Sequence, residues 1–141
     1  MNIIEHLSDI SLHYFALVRR SSAKFDLTLS QSLVLLYVPF DGITISDLSQ
    51  KLGVDISTMT RNIQRIEKKK LIIRKPNPDD KRSIKLLLSP RGQKIANSVN
   101  ESMSENLQEI FDKYDFDTSN QIINNLESLG WDLYLYRQNI E

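Results

Sequence analysis

The chain contains no cysteine. Disulfides, cysteine-ligated zinc and a cysteine-based peroxide sensor are therefore excluded. Glycine and proline are sparse, four of each in 141 residues. There is no glycine-rich phosphate loop and no nucleophile elbow, and no enzymatic activity is expected. No apolar run approaches the roughly 18 residues of a membrane span. Glu5, His6 and Asp9 interrupt any apolar core near the N-terminus. That is no signal-peptide pattern, and a cytoplasmic location is the expectation. His6 and His13 are the two histidines. With Glu5 or Asp9 they could share a helix face as metal ligands, but histidines on an amphipathic helix are more often surface or interface groups. No metal and no other cofactor is expected.

Net charge is absent too, with 18 Lys or Arg against 18 Asp or Glu. The charges are segregated, however. Between Thr44 and Gly92 stand 12 of the cations and 5 of the anions, leaving 6 and 13 for the rest. A basic segment inside an acidic chain is the electrostatic footprint expected of a phosphate-backbone partner. The hydrophobic share of 40% and charged share of 26% are ordinary for a globular protein. The length suits one domain, or one domain with a dimerisation arm.

The basic segment has internal order. Thr44 can cap a short helix with Asp47 in its first turn and apolar residues at Ile45, Leu48 and Leu52. Gly53 breaks it. Asp55 caps a second helix whose apolar positions are Ile56, Met59, Ile63 and Ile66. Two short helices joined by a tight glycine turn form a helix-turn-helix, whose second helix can enter a major groove. Its polar side carries Ser57, Thr58, Thr60, Arg61, Gln64, Arg65 and Lys68. Arg can read guanine and Gln adenine by paired hydrogen bonds, and small hydroxyls permit close approach. Ser57, Thr58, Thr60 and Arg61 are expected to face bases, and Arg65 and Lys68 to lie near phosphates. A solvated helix face is the bland alternative.

Two strand-like runs follow, Leu71–Lys75 and Ile84–Leu88, around the turn-rich loop Pro76-Asn77-Pro78-Asp79-Asp80-Lys81-Arg82-Ser83. A hairpin directly after a recognition helix is a wing. Arg74, Lys81 and Arg82 are its candidate DNA contacts. Asp80 could orient Arg82, or simply cap the turn. Ser89-Pro90 opens the next helix.

These residues resemble the MarR family (multiple-antibiotic-resistance regulators). The carriers are Leu27-Thr28-Leu29-Ser30-Gln31, Leu48, Leu52-Gly53, Ser57 through Arg61, Asp80-Lys81-Arg82-Ser83 and Leu88-Ser89-Pro90-Arg91-Gly92. The resemblance covers nearly the whole chain. It implies a dimeric winged-helix repressor or activator, with the arginine matching Arg82 in the minor groove. One departure stands out. Lys70 occupies a position where the family usually has Gly, and a left-handed backbone there would cost on the order of 1 kcal/mol.

The flanks read as helices. Asn2–Lys24 carries Ile3, Leu7, Ile10, Tyr14 and Leu17, widened by Ile4, Leu12, Phe15 and Val18, a face too broad for burial on one side. Thr28 and Gln31 have capping-box spacing and open a largely apolar helix to about Val38. A long helix runs from Arg91 to about Lys113, and Thr118 with Gln121 is expected to start a last one. The expected fold is mainly α with a small β-hairpin wing. Its parts are an N-terminal dimerisation helix (1–26), a winged helix-turn-helix (27–90) and C-terminal dimerisation helices (91–141). The expected partners are double-stranded DNA with a pseudo-palindromic operator and a second copy of the chain, with no membrane. The function expected is a sequence-specific transcriptional regulator, a ligand-responsive repressor. The alternative is a winged-helix module that docks protein. Tyr14, Phe15, Tyr37 and Trp131 are candidate walls of a pocket for a small hydrophobic or aromatic-acid effector, although aromatics at helical spacing are more often core.

Overall fold

The fold is known from a computed structural model that describes residues 2–140. Its elements run α1 (Ile3–Ser22), a short 3-10 turn (Ala23–Phe25), α2 (Leu29–Tyr37), β1 (Ile43–Thr44), α3 (Ile45–Leu52), α4 (Ile56–Lys68), β2 (Ile72–Pro76), β3 (Ile84–Leu88), α5 (Pro90–Phe111) and α6 (Phe116–Ile140). Contacts divide the chain into two compact units, up to residue 103 and from residue 104.

The first unit holds α1 to β3 and the start of α5. Its core joins Val18 of α1, Val34 and Leu35 of α2, Leu48 of α3, Met59, Ile63 and Ile66 of α4, Leu71, Leu86 of β3, and Ile95 and Val99 of α5. The first helix and the start of α5 thus share the core of the winged helix. Two polar groups enter this core in pairs. Ser32 Oγ donates to Ser22 Oγ at 2.8 Å, and Ser22 Oγ donates to the Val18 carbonyl at 2.6 Å. Each hydroxyl is buried and each is satisfied, which avoids the desolvation penalty of an unmade bond.

Helix ends follow the expected chemistry. Asn2 caps α1, and Thr28 and Gln31 bond reciprocally as a capping box. Thr44 caps α3 and Gly53 ends it in a left-handed conformation. The three-stranded sheet has the order β1-β3-β2, all antiparallel, with Arg74 opposite Leu86 and Lys75 opposite Lys85.

The joint between α4 and the wing is left-handed at Lys70, with φ of 59°. The backbone the family usually gives to glycine is retained with a lysine in it. Lys70 N donates to Glu67 O at 2.8 Å and Leu71 N to Ile66 O at 3.3 Å, closing the end of α4. The start of α5 is tied to the same joint. Ser89 Oγ donates to Lys70 O at 2.7 Å and accepts from Gly92 N at 3.0 Å, while Ser89 N donates to Leu71 O at 2.9 Å. A Cβ on Gly92 would stand 2.0 Å from Leu71 O, so no other residue fits there without moving backbone.

In the second unit, α6 begins at Phe116, earlier than the Thr118–Gln121 spacing indicated. Asp115 is the reason: its Oδ1 accepts from Thr118 N at 2.7 Å and supplies the cap in place of Thr118. None of the 25 residues of α6 is buried. Trp131 is 59% exposed and stacks on Tyr134 with ring centroids 5.4 Å apart. Ile3, Ile4, Ile10 and Leu12 of α1 are likewise uncovered.

Candidate nucleic-acid interface

Helix α4 is built on Asp55. Its Oδ1 accepts from Thr58 N at 2.8 Å and from Ser57 Oγ at 2.7 Å, and its Oδ2 accepts from Thr58 Oγ1 at 2.7 Å. The bonds from Thr58 and then Ser57 hold this carboxyl well below the usual carboxylate range. Met59, Ile63 and Ile66 are the buried stripe. Ser57, Thr58, Arg61, Gln64, Arg65 and Lys68 are exposed, and Thr60 is half-buried. The spacing of 3 and 4 residues separates these two sides as expected.

One expectation needs amending. Ile56 does not join the apolar stripe; it is 56% exposed, because as the first residue of α4 it projects beyond the hydrophobic floor. The hydroxyls of α4 are committed within the helix. Ser57 and Thr58 donate to Asp55, and Thr60 Oγ1 donates to Ile56 O at 2.8 Å. Arg74 is paired as well. Its Nε donates to Glu67 Oε1, which fastens β2 to α4.

The wing loop is internally bonded. Asn77 N donates to Ser83 O at 3.1 Å, Asn77 Nδ2 to Ser83 Oγ at 2.8 Å, and Asp79 N to Asn77 Oδ1 at 3.0 Å. Asp80 Oδ1 accepts from the backbone N of Arg82 at 3.0 Å. Asp80 therefore caps the turn, and the Arg82 guanidinium is not its hydrogen-bond partner. Lys81 and Arg82 are exposed at the tip. At the other end of α4, Lys69 Nζ donates to Gln31 Oε1 at 3.2 Å and to the Asp26 carbonyl, linking α4 to the cap of α2. Glu67 and Lys69 went unnoticed in the sequence, and Asn77 and Ser83 were read only as members of a turn-rich loop. Only the Asn77-Pro78-Asp79 turn chemistry carried a local signal for any of them.

Of the proposed pocket residues, Tyr14, Phe15 and Tyr37 lie together in the first unit, and Trp131 belongs to the second. Tyr14 is half-buried on α1; burial, and then the Tyr37 hydroxyl beside it, push its phenol up. Phe15 lies 5.8 Å from Tyr14, centroid to centroid. Trp131 borders a shallow depression on α6 with Glu127, Gly130 and Tyr134. A cavity of about 390 Å³ lies between α2 and α4, lined by Leu33, Val34, Val54, Met59, Arg61 and Arg65 among others. None of the four aromatic candidates lines it. Among the described residues no group of three or more His, Asp or Glu could hold a metal, and no helix is long and apolar enough to cross a membrane.

A family model described as MarR family matches residues 25–83, from the α1–α2 connection to the wing tip. YsmB, an HTH-type transcriptional regulator of Bacillus subtilis, is 29% identical over 119 residues, covering 79% of this chain and 82% of YsmB. The multiple antibiotic resistance protein MarR of Salmonella typhimurium is 34% identical over 85 residues, 60% of this chain and 59% of that protein. The fold is similar to that of MepR in the crystal structure of the S. aureus MepR–DNA complex, with a TM-score of 0.71 and 23% identity over 91% of this chain and 96% of that one. The segment that matches the MarR family model is thus the winged helix-turn-helix, and over it the chain is similar to HTH-type transcriptional regulators.

Proposed function

We propose that two copies of this chain bind a pseudo-palindromic duplex site in the cytoplasm and repress transcription until a small hydrophobic or aromatic-acid effector releases them. The carrying observation is the brace between the two DNA-facing elements. The Glu67–Arg74 pair fixes the cationic face of α4 to the strand that leads to Lys81 and Arg82. Arg61 and Gln64 reach base edges in the major groove, Arg65 and Lys68 meet phosphates, and Arg82 enters the flanking minor groove. The exposed apolar side chains of α1 and α6 are the dimer surface, since faces of that width need a partner. Two-fold symmetry then sets half-site centres about one helical turn apart. The effector sits in the cavity between α2 and α4, where apolar walls and the Arg61 and Arg65 cations suit an amphiphilic acid. Filling that space with Leu33→Trp should abolish release by such an acid.

Selection of bound sequences from random duplex DNA, together with sedimentation at micromolar concentration, tests the reading. A two-fold-symmetric consensus bound by a dimer is expected. A monomer, or binding without sequence preference, would overturn it.

A further inference from the structure

The outward face at the start of α4 offers methyl groups where the sequence suggested hydroxyls. Ser57, Thr58 and Thr60 each direct their hydroxyl proton to a partner within the helix or at its cap. Thr60 Oγ1 is drawn back to the Ile56 carbonyl, so the group Thr60 has left to offer is its γ-methyl. Ile56 stands four residues before it, on the same side of the helix. Its side chain is 56% exposed, although apolar residues of this size are usually inside. Ile56, Ser57, Thr60, Arg61 and Gln64 together line one shallow concavity on the helix surface. The patch is therefore apolar at its centre and edged by a guanidinium and a carboxamide.

In a major groove the only apolar feature of a base edge is the methyl group on C5 of thymine, or of a methylated cytosine. We propose that Ile56 and Thr60 read the C5-methyl group of a pyrimidine, beside bases contacted by Arg61 and Gln64. The assignment rests on the DNA-binding function proposed above. It makes Ile56 a specificity residue and gives Thr60 the role of a methyl contact.

The experiment starts from the duplex selected out of random DNA. Each thymine of one half-site is replaced in turn by deoxyuridine, which removes only the methyl group. Each cytosine is replaced in turn by 5-methylcytosine, which adds one. Wild type should lose about fourfold in affinity at one deoxyuridine, or gain about as much at one 5-methylcytosine, the worth of one buried carbon. The first outcome assigns thymine and the second a methylated cytosine. Ile56→Ala should bind more weakly and show no methyl effect at that position. Thr60→Val, which keeps a methyl and drops the hydroxyl, should bind like wild type, whereas Thr60→Ser should lose affinity. Equal methyl effects in wild type and Ile56→Ala at every position would overturn the inference and leave the DNA-binding function intact. So would weak binding by Thr60→Val with normal binding by Thr60→Ser. If selection returns no preferred sequence, the function proposed above fails and the methyl reading fails with it.

Discussion

Arg74 on β2 is ion-paired with Glu67, seven residues earlier in the last turns of α4. Their side chains are 34% and 31% exposed, so the pair is partly shielded from solvent. A guanidinium already neutralised by a neighbour releases few counterions on meeting DNA. Arg74→Ala should therefore leave the salt dependence of non-specific binding nearly unchanged. Lys81→Ala should lower the slope of log K against log salt by ~0.9. Glu67→Gln frees Arg74 and should steepen the slope, and the double variant Glu67→Gln/Arg74→Ala should not. Binding isotherms at several salt concentrations on random duplex DNA decide this. A steeper slope in the double variant would trace the effect to lost Glu67 repulsion instead.

Lys70 keeps a left-handed backbone without being glycine. Lys70→Gly should stabilise the fold by roughly 0.5–1 kcal/mol, the relief of the Cβ clash less the larger conformational entropy of unfolded glycine. Urea unfolding of the two proteins measures it. A destabilised variant would mean that the lysine side chain contributes more than its backbone strain removes.

Asp55 gives a pH prediction. Hydrogen bonds from Thr58 and Ser57 lower its carboxyl below the ordinary value of 3.8 in the folded chain. In the unfolded chain those bonds are gone. A depressed folded value stabilises above the unfolded one and is lost as pH falls through the folded value. Asp115 shifts the same way, through its bond from Thr118. Wild type should therefore lose stability on acidification below about pH 4, and Asp55→Asn should lose less over the same interval. Unfolding midpoints at pH 7, 4 and 3 make the comparison. Parallel curves would show that Asp55 titrates alike in both states.

Arg82 lies exposed in a tip whose backbone is fixed by Asp80 and Asn77. A narrow A/T-rich minor groove concentrates negative potential, and a guanidinium sheds water more readily than an ammonium. Arg82→Ala should weaken binding about tenfold on A/T-rich flanks and less on G/C-rich ones. Arg82→Lys should recover only part of that loss. A series of duplexes with a fixed centre and varied flanks provides the readout. Indifference of wild type to the flanks would reduce Arg82 to a phosphate contact.

The helices, the hairpin and their caps were legible because each rests on local chemistry. Thr28-x-x-Gln31, Thr44, Gly53 and Asp55 act on backbone within four residues, and the structure uses each as read. What the sequence hid is set by contacts between elements. Nothing about Glu67 or Arg74 alone says that they meet across a turn. Ile56 followed the apolar period yet lies one helical step beyond the floor that buries Met59. That Ser57 and Thr58 donate to Asp55 was not legible, because sequence shows which groups can donate and not where they donate. The cavity lined by Leu33 and Met59 joins residues of α2 and α4 that are far apart in the sequence, so no local pattern marks it.

The knot of bonds at Ser89 has a mechanical meaning. One hydroxyl holds the Lys70 carbonyl and the Gly92 amide together, and the Leu71 carbonyl is pressed against the bare Cα of Gly92. This hinge has no slack. The first turn of α5 cannot slide or rotate without dragging the peptide that ends the recognition helix. A rotation of the first turn of α5 would thus be passed to the last turn of α4 through a coupling only a few atoms long.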